Sequence, residues 1–458
     1  VPTATEEEAF NQRKARTLSL VEELNLHSRL PPSTRDRVIF SKLSGLINHA
    51  LISPWWQERL EPYLGDVSTS KNLSQLVQSL PVLSRQDLQE YSKWMQIWVP
   101  GSAETDYVQL STSGSTGKPV AVTKFKPSQN IQYMATELLD CLWQGLDLSK
   151  PILAATSRTP PKLNPAPIGE PHNYLGSVAL LHSVKVENQP IKEVLDLMKR
   201  ENIASALLSP QVLRNLLGQV SPDEYGTFPI QTILAFADRV DASLRERTRK
   251  VFGARILDRY STTECGLIGI QCPEHEHLHP LQFENYVEIV DENNLPSPAG
   301  QPGRVLVTSL SSFAMPLIRY EIGDVASWDA PCESDVTLPV LRPEIVRMRE
   351  TFVGGNGAIF NVLPDNGSFA RDPRVKDFQL FIFSNKIVLL LVGDLAPTAP
   401  ELQGFAEELV QITGKSLPTE VRVYPSVGWL HSWKRRSVVM VNEEFHDDAT
   451  LENLQRYI

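Results

Sequence analysis

Basic charge, cysteine and long apolar runs are all scarce in this 458-residue chain. Forty-four Lys and Arg are outnumbered by 54 Asp and Glu, leaving a formal net charge of −10. A surplus of acid argues against a general nucleic-acid or membrane-surface binder, so any phosphate-bearing ligand must be held by a local site. Four cysteines (Cys141, Cys265, Cys272 and Cys332) are too few for a disulfide scaffold in a chain of this size. No apolar run reaches the roughly 18 residues of a membrane-spanning helix. The opening Val1-Pro-Thr-Ala-Thr-Glu-Glu-Glu carries neither the basic nor the apolar region of a secretory signal. A reducing, cytoplasmic location is the expectation. Hydrophobic content of 41% and charged content of 21% are those of a globular protein, and the length calls for two or more domains.

The pattern of apolar residues changes along the chain. Residues 5–100 read as mostly helical: Leu18, Leu20, Val21, Leu24 and Leu26 recur at helical intervals, and Ser84-Arg-Gln-Asp has N-terminal cap chemistry. From about 105 to 260, buried-strand candidates beginning at Pro151, Ala204 and Thr232 alternate with helices at Ile191–Arg200, Pro210–Leu217 and Ala242–Val251. That alternation predicts parallel strands joined by crossover helices. After about 268, short alternating segments at Val287, Gly303 and Ala326 predict a smaller β-rich subdomain. Past 343, strands at Gln379–Phe383, Ile387–Val392 and Glu420–Tyr424 and a helix from Glu401 to Ile412 predict a compact α+β unit. The expected class is α/β: a large N-terminal domain over 1–343, built of several subdomains, and a small C-terminal domain over 344–458.

Against this background one loop stands out, Leu110-Ser-Thr-Ser-Gly-Ser-Thr-Gly-Lys-Pro119. Glycines permit close backbone approach, hydroxyls and N–H groups donate hydrogen bonds, and Lys118 adds charge, so such a loop can wrap a polyphosphate. It is not a P-loop. That motif needs Gly where Thr112 stands and Ser or Thr where Pro119 stands.

The loop resembles instead the phosphate-binding loop of the adenylate-forming superfamily, and four further segments follow in that superfamily's order. Asp258-Arg-Tyr-Ser-Thr-Thr-Glu-Cys-Gly266 resembles its Tyr-Gly-x-Thr-Glu turn. Tyr260 offers a flat face for a purine, and Glu264 is the hard oxygen ligand that Mg²⁺ takes beside phosphate oxygens. Ala314-Met-Pro-Leu-Ile-Arg-Tyr-Glu-Ile-Gly-Asp324 resembles the Tyr-Arg-Thr-Gly-Asp segment, and its lead-in is similar to that of the phenylacetate–CoA ligase-like branch. A carboxylate at Asp324 can accept from both hydroxyls of a ribose. Glu321 stands where that segment often has Arg. Ile345-Val-Arg-Met-Arg-Glu350 occupies the place of an interdomain hinge with only Arg347 matching, and His431-Ser-Trp-Lys-Arg-Arg-Ser-Val438 places Lys434 as the C-terminal catalytic lysine.

What the resemblance implies is activation of a small carboxylic acid by ATP and Mg²⁺ through an acyl-adenylate. The acyl group then passes to a thiol, with coenzyme A first and the phosphopantetheine of an acyl or peptidyl carrier protein second. Two rivals remain: an amide- or ester-forming synthetase, and a degenerate nucleotide-binding protein with a regulatory role. The implied nucleotide site comprises Ser111, Thr112, Ser113, Gly114, Ser115, Thr116, Gly117, Lys118, Asp238, Tyr260, Ser261, Thr263, Asp324 and Arg347, with Lys434 and Glu264 catalytic. Tyr174, Phe236 and Ala237 are the acyl-pocket residues expected. Cys272-Pro-Glu-His-Glu-His-Leu-His279 followed by Cys332 is similar to a zinc site of some members of the branch. Ser334 stands where a last cysteine would fall, so Cys272, His279 and Cys332 match and His275, His277 or Asp335 is left to complete the set.

Overall fold

The computed structural model describes residues 4–112, 119–156, 172–174, 179–185, 191–236, 240–342, 345–347, 351–353, 359–361, 367–372, 374–413, 417–425 and 438–440. The chain forms two compact units, one of Val1–Ile152, Glu170–His182 and Leu257–Ile345, the other of Leu153–Gly169, Ser183–Ile256 and Val346–Ile458.

Six helices lead the first unit: α1 (Ala4–His27), α2 (Pro32–Ala50), α3 (Pro54–Leu60), α4 (Leu64–Thr69), α5 (Leu73–Gln78) and α6 (Arg85–Tyr91). On α2, Ile39, Leu43, Leu46, Ile47 and Ala50 fall on one face and are buried. The expected cap at Ser84 is present as a capping box: its hydroxyl accepts from the Asp87 N–H and the Asp87 carboxylate accepts from the Ser84 N–H. A hairpin follows, β1 (Tyr107–Ser111) with β2 (Ala121–Phe125), and then α7 (Lys126–Trp143).

The alternation predicted from the sequence follows. Strands β3 (Ile152–Thr156), β4 (His172–Tyr174) and β5 (Ala179–Lys185) precede α8 (Ile191–Arg200), β6 (Ser205–Leu208), α9 (Pro210–Gln219), β7 (Thr232–Ala235), α10 (Ala242–Phe252) and β8 (Arg255–Leu257). Of these, α8, β6, α9, β7 and α10 lie in the second unit. The sheet order is β4-β5-β3-β6-β7-β8. Strands β6 and β7 pair in parallel, Ser205 opposite Thr232, and every residue in both is buried. Parallel neighbours cannot be joined by a tight turn, and α9 supplies the crossover. Helix α10 stops at Gly253, whose φ of 70° is the left-handed value that glycine adopts without strain.

Returning to the first unit, β9 (Arg259–Thr262), β10 (Gly266–Gln271) and β11 (Leu278–Pro280) form an antiparallel sheet in the order β11-β10-β9. Next come β12 (Asn285–Val290), β13 (Gly303–Ser309) and β14 (Leu317–Ala326), an antiparallel meander. The segment expected to begin at Ala326 is the last residue of a ten-residue strand that starts at Leu317. Gly323, at φ 80°, lets the strand bulge and run on through the polar Gly-Asp step.

The C-terminal elements are β15 (Val346–Arg347), β16 (Thr351–Val353), β17 (Ile359–Asn361), α11 (Ser368–Arg371), β18 (Val375–Ile382), β19 (Ile387–Gly393), α12 (Glu401–Thr413), β20 (Thr419–Tyr424) and β21 (Val438–Met440). They build a four-stranded sheet in the order β20-β19-β18-β21, with Leu380, Ile382, Leu389 and Leu391 packed against Phe405 and Leu409 of α12. The fold is thus α/β with a β-rich subdomain and a smaller C-terminal α+β part.

Arg319 ties β14 to its surroundings. It is buried with φ at 49°, a costly value for a residue with a side chain. Its guanidinium donates to Glu288 on β12 through Nε and Nη2 at 3.0–3.2 Å and to the Leu80 carbonyl at 2.7 Å. Burial pushes the Glu288 carboxyl up to about 7, against the opposite pull of Arg319. A carboxyl whose folded pKa lies above its unfolded value stabilises most at low pH and loses that contribution as pH rises through about 7. The Tm difference between wild type and Glu288→Gln should therefore move in the wild type's favour as pH falls from about 7.5 to about 5. Thermal melts giving a pH-independent difference would contradict this.

Candidate functional site

The β1–β2 hairpin brings the two ends of the phosphate-loop segment together. Tyr107 to Ser111 pair with Phe125 to Ala121, and beyond them the Thr112 N–H donates to the Val120 carbonyl at 2.9 Å. The Thr112 hydroxyl accepts from the Val120 N–H at 3.0 Å. Ser111 ends β1 and Thr112 closes the base of the loop. Ser113, Gly114, Ser115, Thr116, Gly117 and Lys118 lie outside the described residues.

Glu264 sits in the turn between β9 and β10. The Cys265 N–H donates to the Thr262 hydroxyl at 3.0 Å, and Gly266, at φ 77°, begins the return strand. This tight reversal presents Glu264, only 6% exposed, to three partners. The Tyr320 hydroxyl donates to its Oε1 at 3.1 Å, and an Nη of Arg85 lies 3.6 Å from the same oxygen. Lys124 on β2 is the third, an ammonium whose pKa burial lowers while Cys265 and Glu264 raise it. Its Nζ donates to the Ser312 hydroxyl at 3.0 Å. Burial and the nearby carboxylate hold the Tyr320 phenol above its ordinary range, so it stays a donor.

Asp324 lies four residues beyond Tyr320 on β14, past the Gly323 bulge. Its Oδ2 accepts from the Tyr260 hydroxyl at 2.8 Å, and both residues are buried. Strand β14 therefore touches the β9–β10 hairpin at two points, Tyr320 with Glu264 and Tyr260 with Asp324. Ser261 lies between them on β9, and Thr263 follows in the turn. Glu321, which departs from the expected pattern, is ion-paired with Arg304 at 2.9 Å.

The site in the first unit holds two bonded sets, Thr112 with Arg85, Glu264 and Tyr320, and Tyr260 with Asp324. Sequence reasoning missed three of its members: Arg85, Lys124 and Tyr320. The signal for Tyr320 was its place in the Leu-Ile-Arg-Tyr lead-in, whereas Arg85 looked like an ordinary residue of a helix first turn. Tyr174 ends β4, its backbone opposite Ala179. Phe236 follows β7 in the second unit, half-buried, and its N–H donates to the Leu208 carbonyl. Arg347 is in β15, also in the second unit. Ala237, Asp238 and Lys434 lie outside the described residues.

A second cluster collects around β11. Ligand atoms of Cys272, His277, His279 and Cys332 all lie within 4.8 Å of one another. The two sulfurs are 3.8 Å apart and the Nε2 atoms of the two histidines 3.3 Å apart. Tetrahedral zinc with its usual bond lengths places sulfurs about 3.8 Å and nitrogens about 3.3 Å from each other. Nδ1 of His279 lies 3.1 Å from the Pro339 carbonyl, a bond that as an N–H donor leaves Nε2 for a metal. Burial lowers the His279 pKa to about 4 and also lowers that of His277, which favours the neutral, metal-binding imidazole. His275 Nδ1 is 3.5 and 3.4 Å from the two sulfurs, and its ring stacks on His277.

A family model of AMP-binding enzymes matches residues 59–315, over half of the chain, including Arg85, Thr112, Tyr260 and Glu264. The chain belongs to the AMP-binding enzyme family. It is a member of the adenylate-forming superfamily, as the order of its motifs led us to expect. Solved structures of AMP-binding enzymes share its fold. A 2-hydroxyisobutyryl-CoA ligase in complex with 2-HIB-AMP has a TM-score of 0.73 at 17% identity, covering 94% of each chain. An anthranilate CoA ligase in complex with anthranoyl-AMP has a TM-score of 0.54 at 13% identity, covering 87% of this chain and 76% of that one. The amide bond synthetase of Marinactinospora thermotolerans has a TM-score of 0.50 at 16% identity, covering 80% and 75%. No curated protein matches the sequence.

Replacing Tyr260 by Phe removes a buried donor from Asp324. The variant should lose about 1–3 kcal/mol of stability in urea denaturation. An unchanged midpoint and slope would show that the hydrogen bond contributes nothing.

Proposed function

We propose that this enzyme activates a small carboxylic acid with ATP and transfers the acyl group to coenzyme A. The observation that carries the reading is that Arg85 bridges Thr112 and Glu264 while strand β14 holds Tyr320 on Glu264 and Asp324 on Tyr260. Mg·ATP enters with its phosphates on the loop 111–118, its ribose hydroxyls on Asp324 and its purine against Tyr260. Glu264 supplies the oxygen ligand for the magnesium that accompanies ATP. Asp238 and Arg347 belong to the same nucleotide site, and Tyr174, Phe236 and Ala237 to the acyl pocket.

The carboxylate attacks the α-phosphorus, pyrophosphate leaves, and a mixed acyl–phosphate anhydride remains. Holding the two reactants in line makes the attack effectively intramolecular. The rest of the task is neutralising negative charge, which falls to the loop and to Lys434. The thiol of coenzyme A then attacks the acyl carbon and AMP leaves with the bridging oxygen. Residues 344–458 act as the small domain, turning about the segment at Arg347 between the two half-reactions. An amine or a carrier-protein thiol as acceptor is the second reading. The amide bond synthetase fold match keeps the amine in view. Cytoplasmic residence accords with a reduced coenzyme A pool, and no helix among the described residues is long and apolar enough to cross a membrane.

We also propose that Cys272, His277, His279 and Cys332 hold a structural zinc ion. His277, two residues before His279, takes the place of the cysteine that Ser334 replaces. The observed sulfur and nitrogen spacings fit a Cys₂His₂ tetrahedron.

Pyrophosphate release screened over a carboxylic-acid library, with and without coenzyme A, should find an acid that turns over, faster with coenzyme A present. Equal rates for all acids, including none, would sink the ligase reading. With the acid found, Lys434→Ala should abolish acid-dependent pyrophosphate exchange while ATP binding survives; normal exchange would remove Lys434 from its role. Elemental analysis should give about one zinc per chain in the wild type. His277→Ala should lose it and lower Tm, whereas a zinc-free wild type of unchanged Tm in chelator would refute the metal site.

A further inference from the structure

We propose that Arg85 is a polyphosphate-binding residue, held against Glu264 until Mg·ATP arrives and then transferred to the phosphates. The proposal rests on the nucleotide site described above and adds to it a group from outside its motifs.

Arg85 is placed there by two independent constraints. Just before α6, the Leu83 N–H donates to the Arg319 carbonyl at 3.1 Å and the Glu321 N–H donates to the Leu83 carbonyl at 2.9 Å, which fastens the segment to β14 on both sides of Tyr320. The Ser84–Asp87 capping box then starts the helix one residue later. The Arg85 side chain consequently reaches back toward the site. Its guanidinium lies between Thr112 and Glu264. One Nη is 3.4 Å from the Thr112 hydroxyl at the base of the phosphate loop, and the other is 3.6 Å from Glu264 Oε1. The side chain keeps 31% of its surface exposed, while that of Glu264 keeps 8%. The Arg85 side chain is thus only partly covered.

The chemistry follows from charge. Without nucleotide, Glu264 is a buried carboxylate and Arg85 its counter-ion, so each lowers the cost of the other. A divalent cation at Glu264 replaces that counter-ion and repels the guanidinium over the same short distance. The incoming polyphosphate supplies new acceptors beside Thr112, and a planar guanidinium donates to phosphate oxygens in pairs. Arg85 therefore exchanges one anion for another and is never left unpaired. In a chain of net charge −10, this local cation offsets part of the ligand's charge.

The test compares ligands that differ only in the phosphates Arg85 would touch. Binding of magnesium α,β-methylene-ATP and of AMP is measured by titration calorimetry to wild type, Arg85→Gln and Arg85→Lys. Arg85→Gln should weaken the triphosphate analogue at least about ten-fold, leave AMP within about two-fold, and lower the magnesium concentration for half-maximal analogue binding. Arg85→Lys, which keeps the charge but loses the fork, should fall between. Equal weakening of both ligands would mean that Arg85 only supports the Glu264 turn, and unchanged binding of both would remove it from the site; either overturns the proposal. If Arg85→Gln does not fold, Arg85→Lys decides alone: a loss confined to the triphosphate supports the proposal, and an equal loss or none overturns it. Wild-type protein that binds neither ligand would instead overturn the ligase reading, and this proposal with it.

Discussion

The contact between β14 and the β9–β10 hairpin is the constraint on which the site depends. Two hydroxyls make it, Tyr320 donating to Glu264 and Tyr260 donating to Asp324, and each joins a residue of one element to a carboxylate of the other. Both carboxylates are buried, and a buried carboxylate needs donors or a counter-charge. The two tyrosines supply donors without adding charge. That leaves both acids able to take a further partner, which in the proposed function is a metal ion at one and a diol at the other. Arg319, one residue before Tyr320, fixes the strand by reaching in the opposite direction to Glu288 and Leu80.

The same strand explains how an acidic protein can hold a polyanion. Arg85 and Lys124 approach Glu264 from α6 and β2, elements that no sequence motif links. Their charges lie within a few residues' reach of the loop base at Thr112, while the molecule as a whole carries a surplus of acid. In the proposed function, local cations beside a carboxylate do the work that a basic surface would do elsewhere.

The order of elements was legible from the sequence because it follows from periodicity. The buried runs at Ala204 and Thr232 became the parallel pair β6 and β7, and Ser84 capped its helix as its chemistry required. The polar residues of the site were legible where they sit in contiguous segments, as Tyr260 and Glu264 do. Arg85 was not, because its place beside Glu264 arises from Leu83 pairing with a strand more than two hundred residues away. The fourth member of the cysteine–histidine cluster was open for a similar reason. Three residues near Cys272 and Cys332 could have completed it, and only the fold places His277 beside His279 at 3.3 Å. The run of β14 through Gly323 and Asp324 was misjudged because a glycine bulge and a turn carry the same local signature.

The central claim is that a carboxylate oxygen attacks the α-phosphorus of ATP. Its most direct test is to supply the acid substrate with both carboxylate oxygens as ¹⁸O and to locate the label after complete turnover with the acceptor. An acyl-adenylate intermediate predicts one ¹⁸O in the phosphate of AMP and none in pyrophosphate. Label in inorganic phosphate, with ADP as the nucleotide product, would mean attack at the terminal phosphorus and would contradict the account.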